Sequence, residues 1–404
     1  MNDAFGAPRA ALLDRVTNDT QPVFLHSGWR TCGTWLWEAL RESAGVRAYY
    51  EPLHEDLQTL DRAALARFSP ESWDSGHSPG APYFAEYAAA LRPSGRGISL
   101  YHPRFAFDDF FRDPAADDPA LRAYLTRLTE IARAEGRVPV MKFCRSLGRV
   151  PWLARHFPHA LHAVVLRDPM AQFVSARRQM TYSRNNYFIV SPFVILARNA
   201  SHPLLADAIA RLGVKLPPHV SRDLGITRLV CTHHVAHLTW AERYRGFLAL
   251  WVATAVTALR ADVTVIDSER LADDPSHRVD VQRALVQVPG LDVALFAGYR
   301  PAPPPDLTGT EADAQDATRA AVAALDFVAG QRTTLPPAHA RLLEQKLRPS
   351  RGLPSGAAPP RAAPPPLPPA LAWVDAVAYV AAAWVTYPLR RAHFYYREWI
   401  PKKK

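Results

Sequence analysis

The chain carries several short, largely apolar runs, each ending in polar residues. Val23 to His26 runs into Ser27-Gly28-Trp29-Arg30-Thr31-Cys32-Gly33-Thr34, and a helical stretch through Trp35 to Arg41 follows. Similar runs occur at Val46 to Tyr50, Pro139 to Phe143, Ala163 to Leu166 and Val263 to Ile266. Helical stretches fall at Val150 to Phe157 and Ala171 to Met180. Strands that are apolar along their whole length are buried on both faces, as in a parallel sheet covered by helices. The pattern therefore predicts an α/β fold with a central parallel sheet flanked by helices. Ligands of such sheets sit at the carboxyl ends of the strands, where two of the polar turns lie.

The same pattern divides the chain. Residues 1–21 are charged and polar, with no apolar signal-peptide core. Residues 22–300 hold the α/β domain. Within it, residues 61–97 read as helical and loop-rich, and residues 181–244 as a helical, aromatic, basic lid or acceptor wall. The core is expected to end near Gly298, leaving residues 301–347 as a helical extension. Residues 348–369, rich in Pro and Ala, read as an extended tether. Residues 370–404 read as an apolar helix carrying Trp373, Tyr379, Trp384 and Tyr387, with Arg390, Arg391 and Lys402 to Lys404 behind it. Three fates stay open for it: docking on protein, lying in a membrane interface, or spanning. Asp375 and the many alanines weigh against a span.

Composition changes the picture in two places. The formal charge of +10 over 404 residues favours anionic ligands or surfaces. Nucleic acid is not among the expected partners, because no basic aromatic repeat or DNA-reading module is found. Cys32, Cys144 and Cys231 are widely spaced and odd in number, which fits neither a metal pattern nor a disulfide framework. A reducing, cytoplasmic setting follows, with peripheral membrane contact through residues 370–404 left open.

The first turn suits an anion. Unpaired N–H groups and the helix dipole favour negative charge at a helix start. Gly28 and Gly33 permit a tight turn, Thr31 and Thr34 add hydroxyls, and Arg30 adds a forked cation. The spacing Gly28-x4-Gly33-Thr34 comes near the ATP-binding loop, but its Lys is missing and Trp35 follows. The second turn is Leu166-Arg167-Asp168-Pro169, with Ser175 eight residues after Arg167. Together the two turns suit a ligand with two separated phosphates.

These residues carry a family resemblance. Trp29 to Leu36 resembles the 5′-phosphosulfate loop of sulfotransferases, written P-K-S-G-T-T-W-L or R-S-G-T-T-x-L. Arg167 with Ser175 resembles that family's 3′-phosphate clamp, in its bacterial form. The resemblance covers roughly residues 20 to 300. It implies a P-loop-like sulfotransferase fold of the bacterial or Golgi-type branch, with 3′-phosphoadenosine 5′-phosphosulfate as co-substrate and no metal. It also implies that Arg30, Thr31, Cys32, Gly33 and Thr34 hold the 5′ end, Trp35 packs on adenine, and Arg167 and Ser175 hold the 3′-phosphate. Cys32 stands in place of a glycine, Gly33 in place of a threonine and Arg30 in place of the cytosolic lysine. The late R-K-G segment of the cytosolic enzymes is not found.

Sulfuryl transfer needs charge stabilisation, assigned to Arg30, and a base for the acceptor. Glu51, twenty-one residues after Arg30, is the first candidate base; the tyrosylprotein-type enzymes have a similar spacing. A structural pairing of Glu51 with a nearby Arg or Lys stays open, as do Glu55 and His54 as substitutes. His26 reads as structural. Lys142, Arg145, Arg177 and Arg178 are further cations near the motifs. His233, His234 and His237 read as packing or acceptor wall rather than a metal site. The acceptor is a carbohydrate, lipid or small metabolite. A nucleotide-dependent kinase and a non-catalytic scaffold are the competing functions.

Overall fold

The computed structural model describes residues 21–72, 80–218, 220–291 and 311–348. Five parallel strands form one sheet: β1 (Val23–Ser27), β2 (Val46–Tyr50), β3 (Val138–Phe143), β4 (Leu161–Leu166) and β5 (Thr264–Asp267). Their order is β2-β3-β1-β4-β5. The α/β class and the parallel sheet flanked by helices are as the apolar runs predict. The strands begin or end within two residues of those runs, because buried parallel strands tolerate few polar side chains.

Helices cover both faces. Along β4, Ala163 and Val165 join one apolar core, while Val164 and Leu166 join the other. The first core takes the helices Gly33–Arg41 and Pro119–Ala134. The second takes Tyr187–Asn199 and Trp240–Ala258. Trp240–Ala258 is buried along most of its length and opens on a capping box between Thr239 and Glu242.

One boundary is corrected. The core does not end near Gly298. Helices Glu311–Gly330 and Pro337–Leu347 put Ala324, Phe327, Leu343 and Leu347 into the second core. Their apolar positions follow helical spacing, so they bury a stripe rather than trail as an appendage. The N-terminal segment, the tether and the C-terminal helix of the sequence reading lie outside the described residues, save the edge positions 21 and 348. No described helix is long and apolar enough to cross a membrane.

Strand order fixes where a ligand fits. After β1 the chain moves toward β2 on one side of the sheet; after β4 it moves toward β5 on the other. The divergence opens a crevice between the ends of β1 and β4, which is where open α/β sheets bind ligands. Ser27 pairs with Val165 at that end, so the Arg30 turn and Arg167 emerge side by side.

Candidate functional site

The turn after β1 is held by its own polar groups. Thr31 Oγ1 donates to the Gly28 carbonyl at 2.9 Å. Ser27 Oγ donates to the Phe143 carbonyl at 2.8 Å, tying the turn to β3. The left-handed residues are Arg30 (φ 64°) and Cys32 (φ 70°), not the glycines to which sequence reasoning assigned the turn. Gly33 serves close approach instead: a Cβ there would stand 2.7 Å from Ser27 Oγ and 2.9 Å from its Cβ. Cys32 precedes the helix Gly33–Arg41 and offers no side-chain cap. By contrast, Asp168 caps the helix Pro169–Tyr182 through the Ala171 N–H at 2.8 Å.

The two motifs meet. Arg30 Nε donates to Ser175 Oγ at 2.9 Å. Arg167 Nη1 donates to the Arg30 carbonyl, also at 2.9 Å. Gln172 Nε2 donates to the Arg167 carbonyl at 2.8 Å and is buried between the motifs. Asp168, Gln172 and Ser175 follow one another at helical spacing, a signal that sequence reasoning used only in part. The Arg30 guanidinium also lies over Phe188, 5.1 Å from the ring centre. Burial first, and the Arg167 charge second, pull the Arg30 pKa below its ordinary value. Two arginine charges thus oppose each other beside a helix start that has no side-chain cap, an arrangement an anion relieves.

The other assigned residues take different places. Thr34 Oγ1 and Tyr50 Oη lie 3.3 Å apart. Trp35 is partly buried against the first core. Glu51 follows β2, with β3 between it and β1, and it is linked to the turn through Lys142, which packs against Gly33, and Cys144, which meets the Gly28 carbonyl. It is buried, with left-handed backbone (φ 47°), in a cage of donors. Lys142 Nζ reaches its Oε1 at 2.6 Å, while the Cys144 N–H and Arg145 Nη1 both reach Oε2 at 2.9 Å. Burial alone would raise its pKa, but Lys142 and Arg145 bring it down to about 2. Glu51 thus takes the structural pairing with a nearby Lys and Arg that the sequence left open beside its part as a base, and it anchors Lys142 and Arg145.

The cage extends outward. Arg145 Nη2 donates to Glu55 Oε2 at 2.7 Å and also meets the Tyr187 hydroxyl. Arg228, on the helix Leu224–Ala236, pairs with Glu55 as well. The region 181–244 therefore reaches the site through Tyr187, Phe188 and Arg228, none of which sequence reasoning singled out. No spacing marks them, since the contact arises only when the helices close over the sheet. Burial pushes the Cys144 thiol up to about 11, so it is neutral near pH 7 and Glu51 is the countercharge of Lys142.

The histidines near the motifs and on the helix Leu224–Ala236 are held by hydrogen bonds. His162 Nε2 lies 3.1 Å from the Phe157 carbonyl, which only accepts. That fixes the order of protons: His162 donates to the carbonyl, His26 Nε2 donates to His162 Nδ1 at 3.0 Å, and the Ser146 hydroxyl donates to His26 Nδ1 at 2.8 Å. His26 and Ser146 are fully buried. His54 Nδ1 accepts from the Asp56 N–H at 3.2 Å. His234 bonds the Lys215 carbonyl and His237 the His233 carbonyl, each at 2.9 Å. Arg177 and Arg243 both lie 4.4 Å from the Trp240 ring centre, which puts Arg177 in packing. Among the described residues no group of three or more His, Cys, Asp or Glu is placed to hold a metal ion.

Comparison with protein-family models, curated proteins and solved structures finds no match to this chain.

Proposed function

We propose that the chain is a sulfotransferase that moves a sulfuryl group from 3′-phosphoadenosine 5′-phosphosulfate to a hydroxyl or amine of a carbohydrate, lipid or small-molecule acceptor. The observation that carries this reading is the joining of Arg30, Arg167 and Ser175 at the switch point, beside a helix start that Cys32 leaves without a side-chain cap. The sheet order and the loop between β1 and the first helix support a P-loop-like sulfotransferase fold. The loop's missing Lys-Ser/Thr pair argues against a kinase.

In this reading the Arg30 turn holds the 5′ end of the donor and Arg167 with Ser175 the 3′-phosphate. Transfer proceeds in line: the acceptor oxygen or nitrogen forms a bond to sulfur as the bond to the 5′-phosphate oxygen breaks. The acceptor proton passes to a base, and adenosine 3′,5′-bisphosphate leaves. The transition state is loose and negatively charged, so fixed cations do most of the work. Arg30 supports the leaving phosphate. Lys142, held by Glu51, packs against Gly33 of the turn.

The engagement of Glu51 favours a second reading, donor binding without transfer. Incubation with sulfur-labelled donor and pooled hydroxyl and amine acceptors separates the two. Label on an acceptor, with matching release of the bisphosphate, supports transfer. Tight bisphosphate binding with no labelled product supports the binding reading.

A further inference from the structure

Lys346 lies in the helix Pro337–Leu347, far along the chain from both motifs, yet its ammonium is buried at the end of β5. Nζ donates to Asp267 Oδ1 at 2.6 Å and pairs with Glu269 Oε2. Glu269 in turn faces the clamp. Its Oε1 accepts from the Asp168 N–H at 3.0 Å and stands 3.9 Å from Arg167 Nε. The register explains the meeting: Leu166 pairs with Asp267, so Arg167 and Glu269 emerge together from neighbouring strands.

This places a carboxylate beside the arginine meant for a phosphate. An uncompensated Glu269 would hold the Arg167 guanidinium and repel an incoming anion. Asp267 adds a second negative charge nearby, with its pKa below the ordinary value: burial works to raise it, and Lys346 outweighs that. Lys346 supplies the positive charge that both carboxylates need.

We propose that Lys346 is a positioning residue of the anion clamp: by neutralising Glu269 and Asp267 it keeps Arg167 available to the phosphate. The proposal rests on the donor-site reading above. It makes the helix Pro337–Leu347 part of the ligand site's electrostatics, although none of its residues need touch the ligand.

The test is calorimetric titration of the full chain with adenosine 3′,5′-bisphosphate and with AMP, which lacks the 3′-phosphate. The readout is the ratio of the two affinities. Lys346→Met should lower that ratio about tenfold, less than a direct charge pair near a protein surface gives, because Lys346 acts through Glu269. Lys346→Arg should keep it, and Lys346→Met with Glu269→Gln should regain most of it. Should Lys346→Met fail to fold, Glu269→Gln alone carries the test, because it keeps an acceptor for the Asp168 N–H. It should raise the ratio about threefold as one competing charge is removed. A ratio unchanged by these substitutions overturns the role of Lys346 while leaving the donor site standing. A wild-type ratio near one overturns both.

Discussion

The guanidinium of Arg30 and the hydroxyl of Ser175 are hydrogen-bonded at 2.9 Å across 145 residues of chain. One residue belongs to the turn after β1, the other to the helix after β4. Their contact makes two separate motifs into one site. Ser175→Ala removes the acceptor for Arg30 Nε. Bisphosphate affinity should fall about ten- to a hundredfold, the worth of one hydrogen bond to a charged group. Thermal stability should change little, and calorimetry beside a melting curve checks both.

Two adjacent positions in the first turn should respond in opposite directions. Gly33→Ala drives a methyl into Ser27 and should cost about 1–3 kcal/mol, despite alanine's better helix propensity. Cys32→Gly relieves a left-handed non-glycine residue and should gain about 1 kcal/mol. Denaturant midpoints of the two variants measure this. A stabilised Gly33→Ala would contradict the packing described for the turn.

Glu51 should govern acid stability more than proton transfer. Its folded pKa, about 2, lies below the ordinary 4.5. Its stabilisation is therefore full above pH 4.5 and is lost as the pH falls toward 2. The shift corresponds to about 3 kcal/mol. Glu51→Gln leaves Lys142 and Arg145 short of countercharge and should cost about 3–5 kcal/mol at neutral pH. It should also flatten the acid limb between pH 4.5 and 2. Urea unfolding across that range reads both effects.

His26 sets a milder window. Burial first, and His162 second, hold its pKa well below 6.5. The folded protein keeps it neutral, so its contribution is complete above pH 6.5 and declines as the unfolded chain takes up the proton. The slope is about 1.4 kcal/mol per pH unit for each such histidine. His26→Gln should reduce the slope of stability between pH 6.5 and 5. An unaltered slope would mean that His26 is protonated in the fold.

Most of the sheet was legible in the sequence because its strands are buried on both faces and read as largely apolar runs. Arg30, Arg167 and Ser175 were legible because each follows such a run at a telling spacing. Glu51 was legible as a carboxylate that would either act as base or pair with a nearby Arg or Lys, but not which residues it pairs with. That depends on β3 lying between β2 and β1, and strand order has no local signal. Tyr50 pairs with Lys142 in register, and this brings Lys142 and Arg145 onto Glu51. Arg228, Glu269 and Lys346 were not legible for the same reason: each reaches the site from an element whose docking is tertiary. The left-handed turn was assigned to the wrong residues, since Cys32 adopts a conformation that composition alone gives to glycine.

The central claim is that the turns after β1 and β4 form one site for a nucleotide phosphorylated at both ends. Titration of the wild-type chain with adenosine 3′,5′-bisphosphate, AMP and ATP with magnesium, repeated with Arg167→Ala, tests it directly. The account predicts preference for the bisphosphate. Arg167→Ala should lose at least about tenfold in bisphosphate affinity, as expected for a charged hydrogen-bonding partner, with little change for AMP. Equal affinity for the three nucleotides, or preference for ATP with magnesium, would contradict it.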